Sequence, residues 1–131
     1  MTSPEPHDYQ DAAALRSALR RFLHRGEEIA RRHGLTPQQY LVLLMIKGAP
    51  GGDETSTVSE LVERLSLTQS TVTELVHRAE EHGLLHREPS AVDGRVVELT
   101  LTETGEAALG AAVAEQGRER ESLLELLRDQ N

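Results

Sequence analysis

Polar side chains between Thr68 and Arg78 form the segment whose spacing best suits the binding of a ligand. Apolar residues recur every three or four positions from Val72 to Ala79, which predicts a helix with one buried face. The candidate contact residues surround that face: Thr68, Gln69, Ser70, Thr71, Thr73, Glu74, His77 and Arg78. Short polar side chains at a helix N-terminus suit phosphates and the base edges of DNA, although any solvated helix face has a similar composition.

Two arginines close to a predicted turn form a second candidate site. Arg87 precedes the Asp93-Gly94 pair and Arg95 follows it. Period-two alternation after Arg95 predicts a two-stranded hairpin, with the Asp-Gly pair at its tip. An arginine on such a hairpin can enter the minor groove of DNA, and Asp93 could hold that arginine by an ion pair. The alternative is an ordinary exposed turn with a solvated arginine.

A third set of residues could contact a small molecule. Arg16, Arg20 and His24 lie on the first predicted helix, and Tyr40 lies on the second. Together they offer polar contacts to an anionic aromatic acid. Taken singly, each also fits a simpler interpretation, in which the arginines are solvated and Tyr40 belongs to the core.

No motif for catalysis or metal binding is present in the chain. The absence of cysteine excludes disulfides, cysteine-ligated zinc and a thiol nucleophile. His77, His82 and His86 are close in sequence, but Gly83 interrupts the helix between the last two. No spacing marks a nucleophile elbow or a phosphate loop. We therefore expect no enzyme, no cofactor and no metal site.

Capping signals define the elements that must position these residues. A helical pattern runs from Asp11 to His33, and Thr36 caps a second helix. Thr57 and Thr68 cap a third and a fourth helix, and the hairpin follows. Thr102 caps a last helical segment, which glycines weaken, and a full final helix is expected to be missing or very short.

The order of these elements is that of a winged helix-turn-helix. The predicted fold class is mainly α with a small β-hairpin wing, flanked by long N- and C-terminal helices. In this arrangement one helix braces the DNA backbone, the next presents its N-terminal residues to the major groove, and the hairpin reaches a neighbouring groove.

The chain resembles the MarR (multiple-antibiotic-resistance regulator) family over about residues 11–120. The resemblance rests on LTPQQYLVLLMI, VSELVERLSLTQSTVTELVHRAEEHGLLHRE and the wing sequence DGRVVELTLTETG. It implies a homodimer, a recognition helix that carries Gln69 to His82, and Arg95 as the wing arginine. It also implies a small-molecule pocket between the dimerisation helices and the DNA-binding lobe.

These expectations divide the chain as follows. Residues 1–10 are predicted to be a disordered arm because they are polar and rich in proline. Residues 11–131 form a single domain. Within it, residues 11–34 and 103–131 supply the dimerisation helices and residues 35–102 form the DNA-binding lobe.

Acidity is the main argument against a nucleic-acid protein. The 131-residue chain has a formal net charge of −8, and an acidic protein repels DNA. The leading hypothesis is nevertheless a homodimeric repressor of nearby genes that leaves an inverted-repeat operator when a small ligand binds. The alternative is a winged-helix protein-interaction module that has lost DNA binding, which the acidic balance and Glu74 favour.

The remaining compositional signals concern location. No apolar run approaches the roughly 20 residues that a membrane span needs, and the first residues lack the pattern of a signal peptide. We therefore expect a soluble cytoplasmic protein that does not associate with a membrane.

Overall fold

The computed structural model describes residues 2–129. In this part of the chain, helices surround a two-stranded antiparallel sheet, which confirms the predicted fold class. The elements in order are α1 (Pro6–Arg32), α2 (Pro37–Lys47), α3 (Val58–Leu65), α4 (Gln69–Glu81), β1 (Leu85–Pro89), β2 (Val97–Leu101), α5 (Glu103–Glu115) and α6 (Gly117–Asp129). No helix among them is both long enough and apolar enough to cross a bilayer.

The helix starts of the central lobe are confirmed by their caps. Thr36 and Gln39 form a reciprocal capping box at the start of α2, and Thr57 and Glu60 form another at the start of α3. The Thr68 side chain accepts a hydrogen bond from the backbone N–H of Thr71, at 3.2 Å. Each of these bonds joins residues only three positions apart, so the local sequence is enough to predict it.

The first helix begins earlier than predicted. It starts at Pro6, so the expected disordered arm at residues 1–10 is helical from Pro6 onward. Proline at the first helical position already has a helical φ and lacks only an N–H that would have no partner within the helix. The Asp8 carboxylate accepts a hydrogen bond from the backbone N–H of Glu5, at 2.8 Å. The first residue of the arm lies outside the described residues.

The prediction that a full final helix is missing or very short is wrong. Helix α6 is a separate 13-residue helix, although residues 130 and 131 of the predicted last segment lie outside the described part of the chain. The junction is formed by Gln116, whose buried amide donates to the backbone carbonyl of Phe22, at 2.8 Å, and to Glu119, at 2.9 Å. Gly26 leaves room for this amide, since a Cβ there would lie 3.0 Å from the Gln116 Oε1.

The wing packs on the core through one face of its sheet. β1 and β2 pair in a register that places Arg87 opposite Leu99. Leu99 and Leu101 are buried, but Val97 is half exposed near the tip, so only part of the predicted alternating face reaches the core. The largest fully buried side chains include Leu35, Leu43, Ile46, Leu61, Leu85 and Leu99.

An unpredicted contact extends this sheet. The loop residue Ser56 pairs with Leu99 through two backbone hydrogen bonds, at 3.2 and 2.7 Å. This bridge ties the loop before α3 to the wing. The isolated serine carries no strand pattern, so the sequence offered no signal for it.

Candidate nucleic-acid interface

The face of α4 opposite the core is available for contacts. Val72, Val76 and Ala79 are fully buried, as the helical spacing predicts. The side chains on the opposite side are exposed: Gln69, Ser70, Thr71, Thr73, Glu74, His77 and Arg78. The structure therefore brings the predicted α4 residues together on one surface.

The start of α4 offers backbone donors as well as side chains. The Thr68 hydroxyl donates to the Thr71 hydroxyl, at 2.9 Å, and accepts from the Thr71 backbone N–H. The backbone N–H groups of Gln69 and Ser70 belong to the first turn, where a helix supplies no partner for them. These donors, together with the positive end of the helix dipole, suit a phosphate oxygen.

The charged residues of α4 are paired within the helix. Arg78 Nε donates to Glu74 Oε1 at 2.9 Å, four residues earlier. His77 Nε2 lies 2.5 Å from Glu81 Oε1, also at a spacing of four residues. Both pairs lie in the exposed surface, and both follow the (i, i+4) spacing that places side chains on the same side of a helix.

The wing arginine has the geometry that the sequence predicts. Asp93 Oδ1 accepts from the backbone N–H of Arg95, at 3.1 Å, and from its Nε, at 3.3 Å. The Arg95 side chain is 93% exposed, so most of its surface remains open to a partner. Asp93 therefore orients Arg95 and shapes the turn without burying the charge.

Arg87 has a partner that sequence reasoning missed. Its Nε donates to Glu80 Oε1, at 3.1 Å, which links β1 to the end of α4. The two residues are separated by the turn at Gly83, where φ is +72°. Since no regular helix or strand spans this turn, a local spacing rule could not predict the pair.

A common pattern joins these contacts. Residues 57–101 are described throughout, and all four arginines in this segment lie within 3.3 Å of a carboxylate oxygen: Arg64 with Glu60, Arg78 with Glu74, Arg87 with Glu80 and Arg95 with Asp93. The same segment contains eight acidic residues. Three of these arginines, Arg78, Arg87 and Arg95, belong to the candidate interface, and a neighbouring carboxylate partly neutralises the charge of each.

The three clustered histidines have separate partners. His77 pairs with Glu81, whereas His86 Nε2 lies 3.0 Å from Glu88 Oε1 on the wing. The ring Nδ1 of His82 lies 2.6 Å from the amide nitrogen of Gln39. Within residues 2–129, no group of three or more histidine or acidic side chains is arranged to hold a metal ion.

The candidate effector residues separate into two places. Arg16, Arg20 and His24 line one shallow groove along α1, beside Leu19 and Leu23. The groove lining does not include the fourth candidate, the tyrosine of α2.

That tyrosine, Tyr40, packs against the core. Burial raises the pKa of its hydroxyl, and the Arg120 guanidinium partly opposes this shift. Its position fits the simpler interpretation of a core residue, whereas Arg16, Arg20 and His24 lie together in the α1 groove, where His24 Nε2 lies 2.9 Å from Glu28 Oε1.

The central lobe matches known regulators in sequence. A model of the MarR family matches residues 33–96. The transcriptional regulator HosA of Escherichia coli is 37% identical over 79 residues, which are 60% of this chain and 56% of HosA. The transcriptional repressor MdtR of Bacillus subtilis is 34% identical over 79 residues, which are 60% of this chain and 48% of MdtR. The chain thus spans about half the length of the curated relatives it matches.

The fold matches over a longer stretch. A MarR family protein from Bacillus stearothermophilus is 28% identical, with a TM-score of 0.78, and the match covers 95% of this chain and 84% of that one. The two named relatives are, by their names, a transcriptional regulator and a transcriptional repressor. The central lobe of the chain therefore matches the MarR family, and the overall fold is similar to that of a MarR family protein.

Proposed function

We propose that the chain is a homodimeric repressor that binds an inverted-repeat operator and leaves it when a small ligand binds. The observation that carries this proposal is the surface formed by the exposed start of α4 and the exposed Arg95 of the wing. A recognition helix in the major groove and an arginine in the adjacent minor groove would contact DNA from these two positions. The proposal of a transcriptional repressor is also supported by the names of two relatives, the regulator HosA and the repressor MdtR.

Exposed leucines on the terminal helices support the dimer. Within α1, the buried residues are Gly26, Ile29 and Ala30, all in its C-terminal part. Leu19 is 41% exposed and Leu23 is 63% exposed on the same helix. Leucines of α6 are similarly exposed: Leu124, Leu126 and Leu127. Apolar surface on two terminal helices is expected where a second subunit covers it.

The groove on α1 supports a ligand of anionic character. Arg16 and Arg20 place two guanidinium groups beside Leu19 and Leu23, and the remaining lining is His24, which pairs with Glu28, and Glu27. An aromatic carboxylate would find charge and apolar surface there together. Because the same leucines belong to the proposed dimer surface, a ligand in this groove would act on the geometry of the two subunits. A chromosomal target implies a cytoplasmic location.

A gel shift with the DNA upstream of the gene tests the proposal. We expect retardation at low salt, and footprinting should show two protected half-sites with centres about 10 base pairs apart. A duplex of scrambled sequence is the control. If the protein retards neither duplex at low salt, where electrostatic binding is strongest, the regulator proposal fails and the interaction-module alternative gains support.

Ligand release is tested on the same complex. Aromatic carboxylates that bind in the α1 groove should release the DNA, and Arg16→Ala with Arg20→Ala should remove this response while leaving operator binding intact. Isothermal titration of wild type and variant with the same carboxylates measures the binding step directly. Equal binding by both proteins would place the ligand elsewhere.

A further inference from the structure

The Glu74–Arg78 pair lies where α4 would meet DNA. Glu74 is the first carboxylate of the helix, and it lies between the exposed Thr73 and His77. Its Oε1 accepts from Arg78 Nε at 2.9 Å, and both side chains are more than half exposed. A carboxylate at this position repels phosphates, and it also occupies the helix's nearest arginine.

The Glu74–Arg78 pair reduces the free energy that nonspecific DNA gains from a phosphate contact with Arg78. A phosphate that recruits Arg78 must compete with Glu74 for the guanidinium, and it must approach the Glu74 carboxylate. The cost of separating an exposed pair is modest, but nonspecific binding consists almost entirely of phosphate contacts. DNA without the operator sequence therefore makes no base contact that could offset the cost of separating Glu74 from Arg78.

Operator DNA can compensate for the loss. A carboxylate on a recognition helix accepts a hydrogen bond from the N4 amino group of cytosine, and an arginine that it releases can reach a phosphate. Both charged groups then have partners in the complex. On nonspecific DNA the carboxylate has none.

From this geometry we propose that Glu74 is a specificity-determining residue, which restrains Arg78 in free protein and exchanges it for a cytosine on the operator. The inference rests on the proposed function and names the residue that separates operator from other DNA. It differs from a purely structural role, because an exposed (i, i+4) pair contributes only a few tenths of a kcal/mol to a helix.

The test compares Glu74→Gln with Glu63→Gln. Glu63 is an exposed residue of α3 in the same lobe, and it forms no ion pair with any residue that the structure describes. Both variants remove one negative charge, so their difference reports the effect of Glu74 at its own position, and the further change Arg78→Gln isolates the contribution of the released arginine. Affinity for the operator and for a scrambled duplex is measured by fluorescence anisotropy over a range of salt concentrations.

We expect Glu74→Gln to bind the scrambled duplex roughly threefold more tightly than Glu63→Gln does. Its log–log salt dependence should be steeper by about one unit, because one more phosphate is neutralised. Adding Arg78→Gln to Glu74→Gln should remove both the tighter binding to the scrambled duplex and the steeper salt dependence. In a base-substitution scan of the operator, wild type should prefer cytosine at one position of each half-site, and Glu74→Gln should lose that preference.

The outcomes separate this inference from the proposed function. If wild type binds its operator but Glu74→Gln and Glu63→Gln behave alike on scrambled DNA, the role of Glu74 is overturned and the regulator stands. An unchanged cytosine preference in Glu74→Gln also overturns it. If wild type binds neither duplex, the proposed function itself fails.

Discussion

The Arg95 side chain is highly exposed, while hydrogen bonds to Asp93 hold its backbone N–H and its Nε in place. Asp93 holds its N–H and Nε, and the remainder of the guanidinium is open. We expect Arg95→Ala to weaken binding to operator and scrambled duplexes alike, by roughly tenfold, because a charged hydrogen bond to DNA is lost. Thr73→Ala is the matched comparison, since it should change base preference and not overall affinity. Gel shifts at one fixed salt concentration measure both effects, and unchanged binding by Arg95→Ala would argue against the wing contact.

Glu115 gives the molecule a pH dependence at low pH. Hydrogen bonds from the Arg32 side chain and then from His33 hold the pKa of this carboxyl below its ordinary value of 4.5. A lowered carboxyl pKa in the folded state adds stability above the unfolded-state value, and that stability disappears as pH falls through the folded-state value. We therefore expect Glu115→Gln to lose less stability than wild type when the pH falls below about 4.5.

Thermal unfolding at neutral and acid pH checks this prediction. Glu121→Gln is the control, because Glu121 is exposed and has no ion pair within the described residues. If Glu115→Gln and wild type lose the same amount of folding stability at acid pH, the contacts of Glu115 to Arg32 and His33 do not contribute to stability.

At the scale of elements, helix α5 contains two glycines with opposite surroundings. A Cβ on Gly105 would overlap the backbone carbonyl oxygen of Leu84, whereas a Cβ on Gly110 would meet no atom within 4 Å. We expect Gly105→Ala to destabilise the fold by about 1–3 kcal/mol because α5 must move away from the chain that enters β1. Gly110→Ala should stabilise it by about 0.5–1 kcal/mol through helix propensity. Urea unfolding of both variants measures the sign of each change in the free energy of unfolding. Equal changes in the two variants would contradict the close approach of α5 to Leu84 at Gly105.

The elements differ in how far the sequence could predict them. Helices α2 and α3 were predicted from capping boxes, because each box joins residues three positions apart. The break before α6 could not be predicted, since Gln116 is held by the carbonyl of Phe22, which is far away in the sequence. The length of the final helical region therefore depended on packing against α1.

At the scale of the whole molecule, the terminal helices present the apolar surface that a single chain leaves open. If the proposed dimer forms through this surface, we expect Leu19→Glu to convert it to a monomer and to abolish operator binding, because two half-sites require two linked lobes. Leu41→Glu is the control, since Leu41 is exposed to 42% and Leu19 to 41%, but Leu41 lies on α2. Light scattering measures the mass of each variant.

Two results would contradict the proposed dimer surface. A Leu19→Glu protein that remains dimeric would place the interface elsewhere. A Leu41→Glu protein that becomes monomeric would show that the interface includes α2 and is not confined to the terminal helices.

The net charge of −8 has a different meaning at this scale. The acidic residues are not confined to a distant tail, because Glu74, Glu80 and Asp93 each hold an arginine of the candidate interface. An acidic surface of this kind is expected to bind nonspecific DNA weakly and to depend on correct operator contacts. The charge that argued against a nucleic-acid protein is thus compatible with one that discriminates strongly.

The sequence by itself determined the caps, the turn between α3 and α4, the wing and the exposed face of α4. These features depend on hydrogen bonds and periodicities that span only a few residues, so the chain encodes them locally. Tertiary structure decided that Glu80 reaches Arg87, that Ser56 joins the wing and that Gln116 starts a separate α6. Each of these contacts crosses a turn or joins distant segments, and only the packing of the core brings such groups within bonding distance.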